Sequence, residues 1–280
     1  MTRRELLILA GTLTVGGWRS VASDRLAEIV ASIHEQDLGK LPIGELVAKV
    51  GQMLIGTPYF GGVLDEDADR ERCVIDLERL DCVTFYELSL DIARMVKRGR
   101  STSADLVNEV ALTRYRGGKM DGYVSRLHYT TDWIRDNAAR GIVRSITDDM
   151  PASQPITKPI DYMTKHPDKY RALAAHPEWV PLLQVHERRL LASKPTYIPT
   201  DRAPEAELGL RTGDIVGITT SAEGLDCSHT GLILIQDGVP KLLHASSTAK
   251  RVVLGPQLSK YLADNPKATG YLAARPLEPR

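Results

Sequence analysis

Residues 229–246 read HTGLILIQDGVPKLLHAS. Two apolar runs flank Asp237-Gly238, a dipeptide that accepts the backbone angles of a tight hairpin turn. Pairing the runs about that turn makes an antiparallel hairpin and brings His229 and His244 together at one end of it. Further short apolar or β-branched runs surround it: GDIVGITT at 213–220, RVVLG at 251–255 and TGYLAARPL at 269–277. Each is bounded by Gly, Pro or Asp, as strands in a sequential sheet are.

The N-terminal half has a different period. Leu26, Ile29, Val30 and Ile33 fall at helical spacing, as do Ile43, Leu46, Val47, Val50 and Leu54 behind Pro42, and again Phe85, Leu88, Ile92 and Val96. GTPYFGG at 56–62 breaks that pattern, and in the charged stretch that follows, Cys73–Ile75 reads as a short strand. Helices are expected over 105–114 and around Trp133–Ala138, the latter ended by Gly141, with a strand in IVRSIT at 142–147. The proline-containing region 150–199 carries helical patterns at 161–175 and 182–192 and reads as an insertion lying over the core. Helices first and sequential strands afterwards predict an α+β fold with a largely antiparallel sheet.

Lys plus Arg and Asp plus Glu each number 36, so no net field recruits a polyanion, and nucleic acid is not an expected partner. Residues 1–22 hold Arg3-Arg4, an apolar run too short for the ~20 residues of a bilayer span, and Ser20 and Ala22 at cleavage-site spacing. They read as an export signal of twin-arginine type, leaving a periplasmic protein with no stable membrane insertion. Residues 23–40 are then a helical extension and 41–280 the main domain. Three cysteines cannot all pair within one chain, and they form no CxxC or Cys/His cluster, so no structural metal is expected.

One of those cysteines has a distinctive address. In RLDCVTFYELSLDIAR, residues 79–94, Asp81 can cap a helix whose first turn carries Cys82 over unpaired N–H groups, which favours a thiolate. His34, His166, His176 and His186 sit in polar or proline-flanked segments and read as surface residues. His229 and His244 could instead serve the cysteine as base and as orienter of the base. Spacing alone leaves open a core cysteine with two satisfied histidines.

GTPY at 56–59, LDCVTF at 80–85, SRLHYTTDWIRDN at 125–137, GDI at 213–215, SHTGLIL at 228–234 and LLHASS at 242–247 resemble, in this order, motifs of the NlpC/P60 cysteine peptidases. These are papain-like enzymes of bacterial cell-wall turnover, and the details look closer to their DUF1460, N-acetylmuramoyl-L-alanine amidase-like, branch. The resemblance implies a papain-like fold with Cys82 as nucleophile, His229 as general base, His244 as its orienter and Tyr59 shaping the oxyanion site. It implies a muropeptide as substrate, no cofactor, a monomer, and cleavage of the amide between the muramic acid lactyl group and L-alanine. A cut inside the stem peptide between D-glutamate and the diamino acid, or cell-wall binding without catalysis, are the rival outcomes. Arg126, Tyr129 and Trp133 offer a guanidinium and ring faces to substrate, or pack a short helix; Asp226 and Ser228 flank His229. Cys227 reads as a small structural residue. The family's glycine-rich loop usually lies nearer the cysteine. The roughly twenty residues inserted there, with the insertion at 150–199, are expected to wall the groove and favour soluble fragments over intact wall.

Overall fold

The computed structural model describes residues 19–280, with side chains described from Asp24 onward; the export-signal expectation at 1–22 falls almost wholly outside the described residues. Five helices come first: α1 (Arg19–Glu35), α2 (Ile43–Met53), α3 (Cys82–Lys97), α4 (Ser103–Arg114) and α5 (Thr130–Ala139). Strands β1 (Val143–Ser145) and β2 (Gln154–Pro155) follow, then α6 (Tyr162–Lys165), α7 (Arg171–Ala175) and α8 (Val180–Ala192). After β3 (Thr196–Pro199) and the turn of helix α9 (Ala203–Ala206) come β4 (Ile215–Thr220), β5 (Cys227–Gln236), β6 (Val239–Ser246) and β7 (Arg251–Gln257). Helix α10 (Leu258–Ala263) and strand β8 (Ala268–Pro276) complete the α+β fold.

The sheet runs β2-β3-β8-β4-β5-β6-β7, with β1 also on β8, and its named pairings are antiparallel. The hairpin expected about Asp237-Gly238 joins β5 to β6 with Leu232 opposite Leu243. Strand alternation sends Ile215, Leu232, Leu243 and Ala274 into the helical core and Val216, Ile233, Leu242 and Ala273 into a second core under α10.

Helix α3 begins with a capping box. Asp81 Oδ1 accepts the Val83 and Thr84 N–H groups at 3.0 and 2.8 Å, and the Asp81 N–H donates to Thr84 Oγ1 at 2.9 Å. From Thr84 to Val96 the helix is buried on every side, far beyond the single apolar stripe its sequence suggested. Its charged residues are therefore paired inside the protein. Arg114 Nε donates to Glu87 Oε2 at 2.8 Å, the Trp133 indole donates to Glu87 Oε1 at 3.1 Å, Thr113 Oγ1 donates to Asp91 at 2.9 Å, and Arg94 meets Glu109 at 3.3 Å.

Two local expectations change. Residues 73–75 form no strand: the Arg114 side chain from α4 donates to the Val74 carbonyl at 2.6 Å, taking a group a strand partner would have taken, and the Cys73 thiol faces the Val107 carbonyl. The helix expected over 161–175 breaks at His166, because Pro167 disfavours helical geometry in the residue before it. The 150–199 insertion also lends β2 and β3 to the sheet edge rather than being wholly helical.

Glu87→Leu should cost about 3–5 kcal/mol in chemical denaturation, because it strands the Arg114 guanidinium, 1% exposed, without its counter-charge. Adding Arg114→Met should recover most of that loss; a single-variant cost below about 1 kcal/mol would show that the pair is not a buried one.

Candidate active site

Cys82 is the first residue of α3 and is half-buried. The loop before it is clamped twice. Tyr59 donates its N–H to the Lys250 carbonyl at 2.9 Å, and Leu80 bonds to both residues flanking Tyr59, accepting the Phe60 N–H and donating its own N–H to the Pro58 carbonyl, both at 3.0 Å. Tyr59 is thereby fixed beside the start of α3. Strand β5 closes on the same turn, where Thr230 Oγ1 donates to the Cys82 carbonyl at 2.7 Å. The residue next to His229 is thus bonded to the residue that carries the thiol.

The two histidines meet as the hairpin predicted. Continuing the β5–β6 register puts Gly231 opposite His244, with His229 as the diagonal neighbour. The rings lie edge to face, 4.8 Å between centroids and 83° between planes, and His229 Nε2 is 2.6 Å from His244 Nδ1. Two glycines make room for them. A Cβ on Gly231 would lie 3.1 Å from the His244 Cβ and 2.8 Å from the Leu243 carbonyl, and one on Gly255 would lie 3.1 Å from His244 Nε2. His229, His244, Ser228, Ser246, Ser247, Thr248, Tyr261, Asp264 and Asn265 line an open cleft of about 590 Å³.

Burial sets the charges. It pushes the Cys82 thiol up to about 11, helped by the Asp81 carboxylate, while the Thr230 hydroxyl and N–H and the cysteine's own N–H pull the other way. His229 is pushed down to about 3 by burial and by His244, and His244 down to about 4 by burial. The helix N-terminus alone therefore does not deliver the thiolate that the sequence suggested; desolvation outweighs it. Burial and then the Cys82 charge raise the Tyr59 and Tyr261 phenols, so one thiol acts on tyrosines from two separate segments.

The other sequence candidates have different surroundings. Ser228 is exposed and lines the cleft, at a β-bulge where Ile218 faces His229 and Thr219 faces Cys227. Asp226 is buried and accepts the Thr131 N–H and hydroxyl at 2.8 Å each, tying β5 to the start of α5. Arg126, 5% exposed, pairs with Asp65 at 2.5 Å and donates to the Leu64 carbonyl at 2.9 Å. Tyr129 is buried with its hydroxyl on Glu187 at 2.8 Å, and Trp133 is buried against Tyr86 with its indole on Glu87. These three present their polar atoms to protein partners. Cys227 is buried, in keeping with a structural residue, and all three cysteines are free.

Sequence reasoning passed over Thr230, Tyr261 and His128. Thr230 lay inside the quoted SHTGLIL motif, so its position beside His229 was the available signal. Tyr261, on α10, lies over both histidines and had no local signal. His128 is held by the Tyr123 carbonyl at 2.9 Å, and burial drives its pKa well below the usual imidazole range. Among the described residues no group of three or more His, Cys, Asp or Glu could hold a metal ion, and no helix is long and apolar enough to cross a membrane.

The model of the N-acetylmuramoyl-L-alanine amidase-like (AmiA-like) family matches residues 49–270. Among solved structures, an N-acetylmuramoyl-L-alanine amidase from Bacteroides uniformis is 34% identical with a TM-score of 0.76, covering 84% of this chain and 99% of its own. A Bacteroides fragilis structure bearing a provisional xylanase label is 35% identical with a TM-score of 0.73, covering 81% of this chain and 99% of its own. A Legionella pneumophila protein, 21% identical with a TM-score of 0.68 over 92% of this chain and 96% of its own, shares the fold. A search of curated proteins found no match. With the family's model spanning the clamped loop, helix α3 and the histidine hairpin, the chain belongs to the AmiA-like, N-acetylmuramoyl-L-alanine amidase-like, family of the NlpC/P60-like superfamily.

Proposed function

We propose that the protein is a cysteine amidase of the DUF1460 branch that cleaves the bond between the muramic acid lactyl group and L-alanine in soluble muropeptides. The observation that carries this reading is the His229–His244 pair at 2.6 Å, with His229 on the strand whose Thr230 is bonded to the Cys82 carbonyl. Family membership and the similarity to the Bacteroides uniformis amidase support the substrate class. An export signal at residues 1–22 would deliver the enzyme to the periplasm, where such fragments arise.

In this mechanism Cys82 attacks the lactyl carbonyl and His229 Nδ1 takes the thiol proton. For Nδ1 to be free as a base, His229 carries its own proton on Nε2 and donates it to His244 Nδ1, so His244 is protonated on Nε2, the nitrogen beside Gly255. The Val83 and Thr84 N–H groups are taken by Asp81 and that of Phe85 by the Asp81 carbonyl, which leaves the Cys82 N–H to meet the oxyanion together with the Tyr59 hydroxyl. The imidazolium then protonates the alanine nitrogen as the C–N bond breaks. Water, deprotonated by the same His229, hydrolyses the thioester and restores the thiol.

Incubating the protein and its Cys82→Ala variant with a disaccharide-peptide muropeptide, and weighing the products, tests the assignment. The wild type should release the intact peptide beginning at L-alanine and the variant should release none. A cut within the stem peptide would replace this reading with the endopeptidase, and no product from either protein would replace it with binding. His244→Ala should lower kcat about 10²-fold with KM nearly unchanged, as expected of a residue that orients the base.

The pH dependence follows from burial acting on the pair as a unit. A site that disfavours every net charge stabilises the state in which Cys82 and His229 share one proton between them. Adding a second proton is harder than in a free imidazole, so the acid limb moves down; removing the last is harder than in a free thiol, so the basic limb moves up. kcat/KM should therefore stay level from about pH 5 to about pH 9, and an acid midpoint at the ordinary imidazole value of about 6.5 would contradict it.

A further inference from the structure

Tyr261 reaches the histidine pair from a different part of the fold. It stands on α10, the short helix between β7 and β8, and lines the cleft. Its ring is nearly parallel to that of His229, 5.9 Å between centroids at 25°, and edge-on to that of His244, 5.5 Å at 76°. One aromatic side chain therefore contacts both members of the 2.6 Å hydrogen bond. The neighbouring α10 residues Leu258 and Leu262 are buried in the second core, which anchors the helix that presents the ring.

We propose that Tyr261 is a positioning residue for catalysis: its ring closes the open side of the His229–His244 pair, fixes both imidazole planes and keeps water from the bond between them. It rests on the assignment of His229 as base. Aromatic packing of this kind restricts ring rotation, and excluding water strengthens the hydrogen bond that selects the working tautomer. The other ionisable groups of this region are Asp264, which lines the cleft just after α10, and the Cys82 thiol, which acts on Tyr261 and has Asp81 and Tyr59 beside it. No lysine or arginine lines the cleft among the described residues, so no nearby cation substitutes for dehydration in keeping the imidazoles unprotonated. The Tyr261 hydroxyl makes no hydrogen bond among the described residues, so the contribution is assigned to the ring.

The decisive measurement uses no substrate. Histidine rings labelled with ¹³C in the full protein are titrated by NMR, with His229 and His244 assigned by substitution. In the wild type His229 should titrate well below 6.5. Tyr261→Ala should raise its midpoint by about one unit or more as water enters, and Tyr261→Phe should restore it. In the amidase assay, Tyr261→Ala should lower kcat about ten-fold with a smaller change in KM and move the acid limb upward in step with the titration, while Tyr261→Phe behaves as wild type. Unfolding at low pH would also raise an apparent midpoint, so the titration is followed on the folded-state histidine signals with the folded fraction recorded at each pH from the amide spectrum, which separates reduced stability from the effect. An unchanged His229 midpoint in Tyr261→Ala overturns the proposal, and so does a Tyr261→Phe variant that matches Tyr261→Ala. If the titrations behave as expected but no muropeptide is cleaved, the proposed substrate fails while the positioning role stands.

Discussion

Helix α3 has no solvent-facing stripe, and most of the architecture follows from enclosing it. Glu87, Asp91 and Arg94 lie within its buried span, and a charge taken out of water needs a partner held at hydrogen-bond distance. Helix α4 supplies three such partners, Glu109, Thr113 and Arg114, and α5 adds the Trp133 indole. Those bonds fix the rotation of α3 about its axis as well as its position. Its first turn is then held by the Asp81 capping box and by Thr230, so the thiol of Cys82 is delivered to one place by both ends of the packing.

The sheet completes the site by register. A hairpin shifted by one residue would send His229 and His244 to the opposite face, since side chains alternate along a strand. The Asp237-Gly238 turn and the apolar pairs Leu232–Leu243 and Ile233–Leu242 hold the register, and Gly231 and Gly255 leave space for the imidazole that register positions. The site thus draws on the same pairings that stabilise the core.

Much of this was legible in sequence because it is local. The hairpin, the Asp81 cap and the five C-terminal strands each have a signature within a few residues, and the ordered motifs pointed to the same two histidines. The parts that were not legible depend on partners far along the chain. Arg126, Tyr129 and Trp133 looked available to substrate, yet their polar atoms are satisfied by Leu64, Glu187 and Glu87, which lie 62, 58 and 46 positions away. The direction of the Cys82 shift was missed for a related reason: a helix N-terminus is visible in sequence, whereas the desolvation that outweighs it is a property of the assembled fold.

The 150–199 insertion is built into this frame rather than hung from it. Glu187 of α8 accepts the Tyr129 hydroxyl, and that hydroxyl accepts the Met163 N–H of α6, so one buried node joins two insertion helices to the segment before α5. On the other side Lys158 donates to the carbonyls of Thr220 and Ala222, where β4 turns toward β5, and the Asp226 carboxylate at that turn holds the start of α5. Breaking any of these bonds would leave a buried polar group unpaired, which costs more than the bond itself contributes. A segment fastened at both ends by such groups moves with the body of the fold, because releasing it would require several of these bonds to break together.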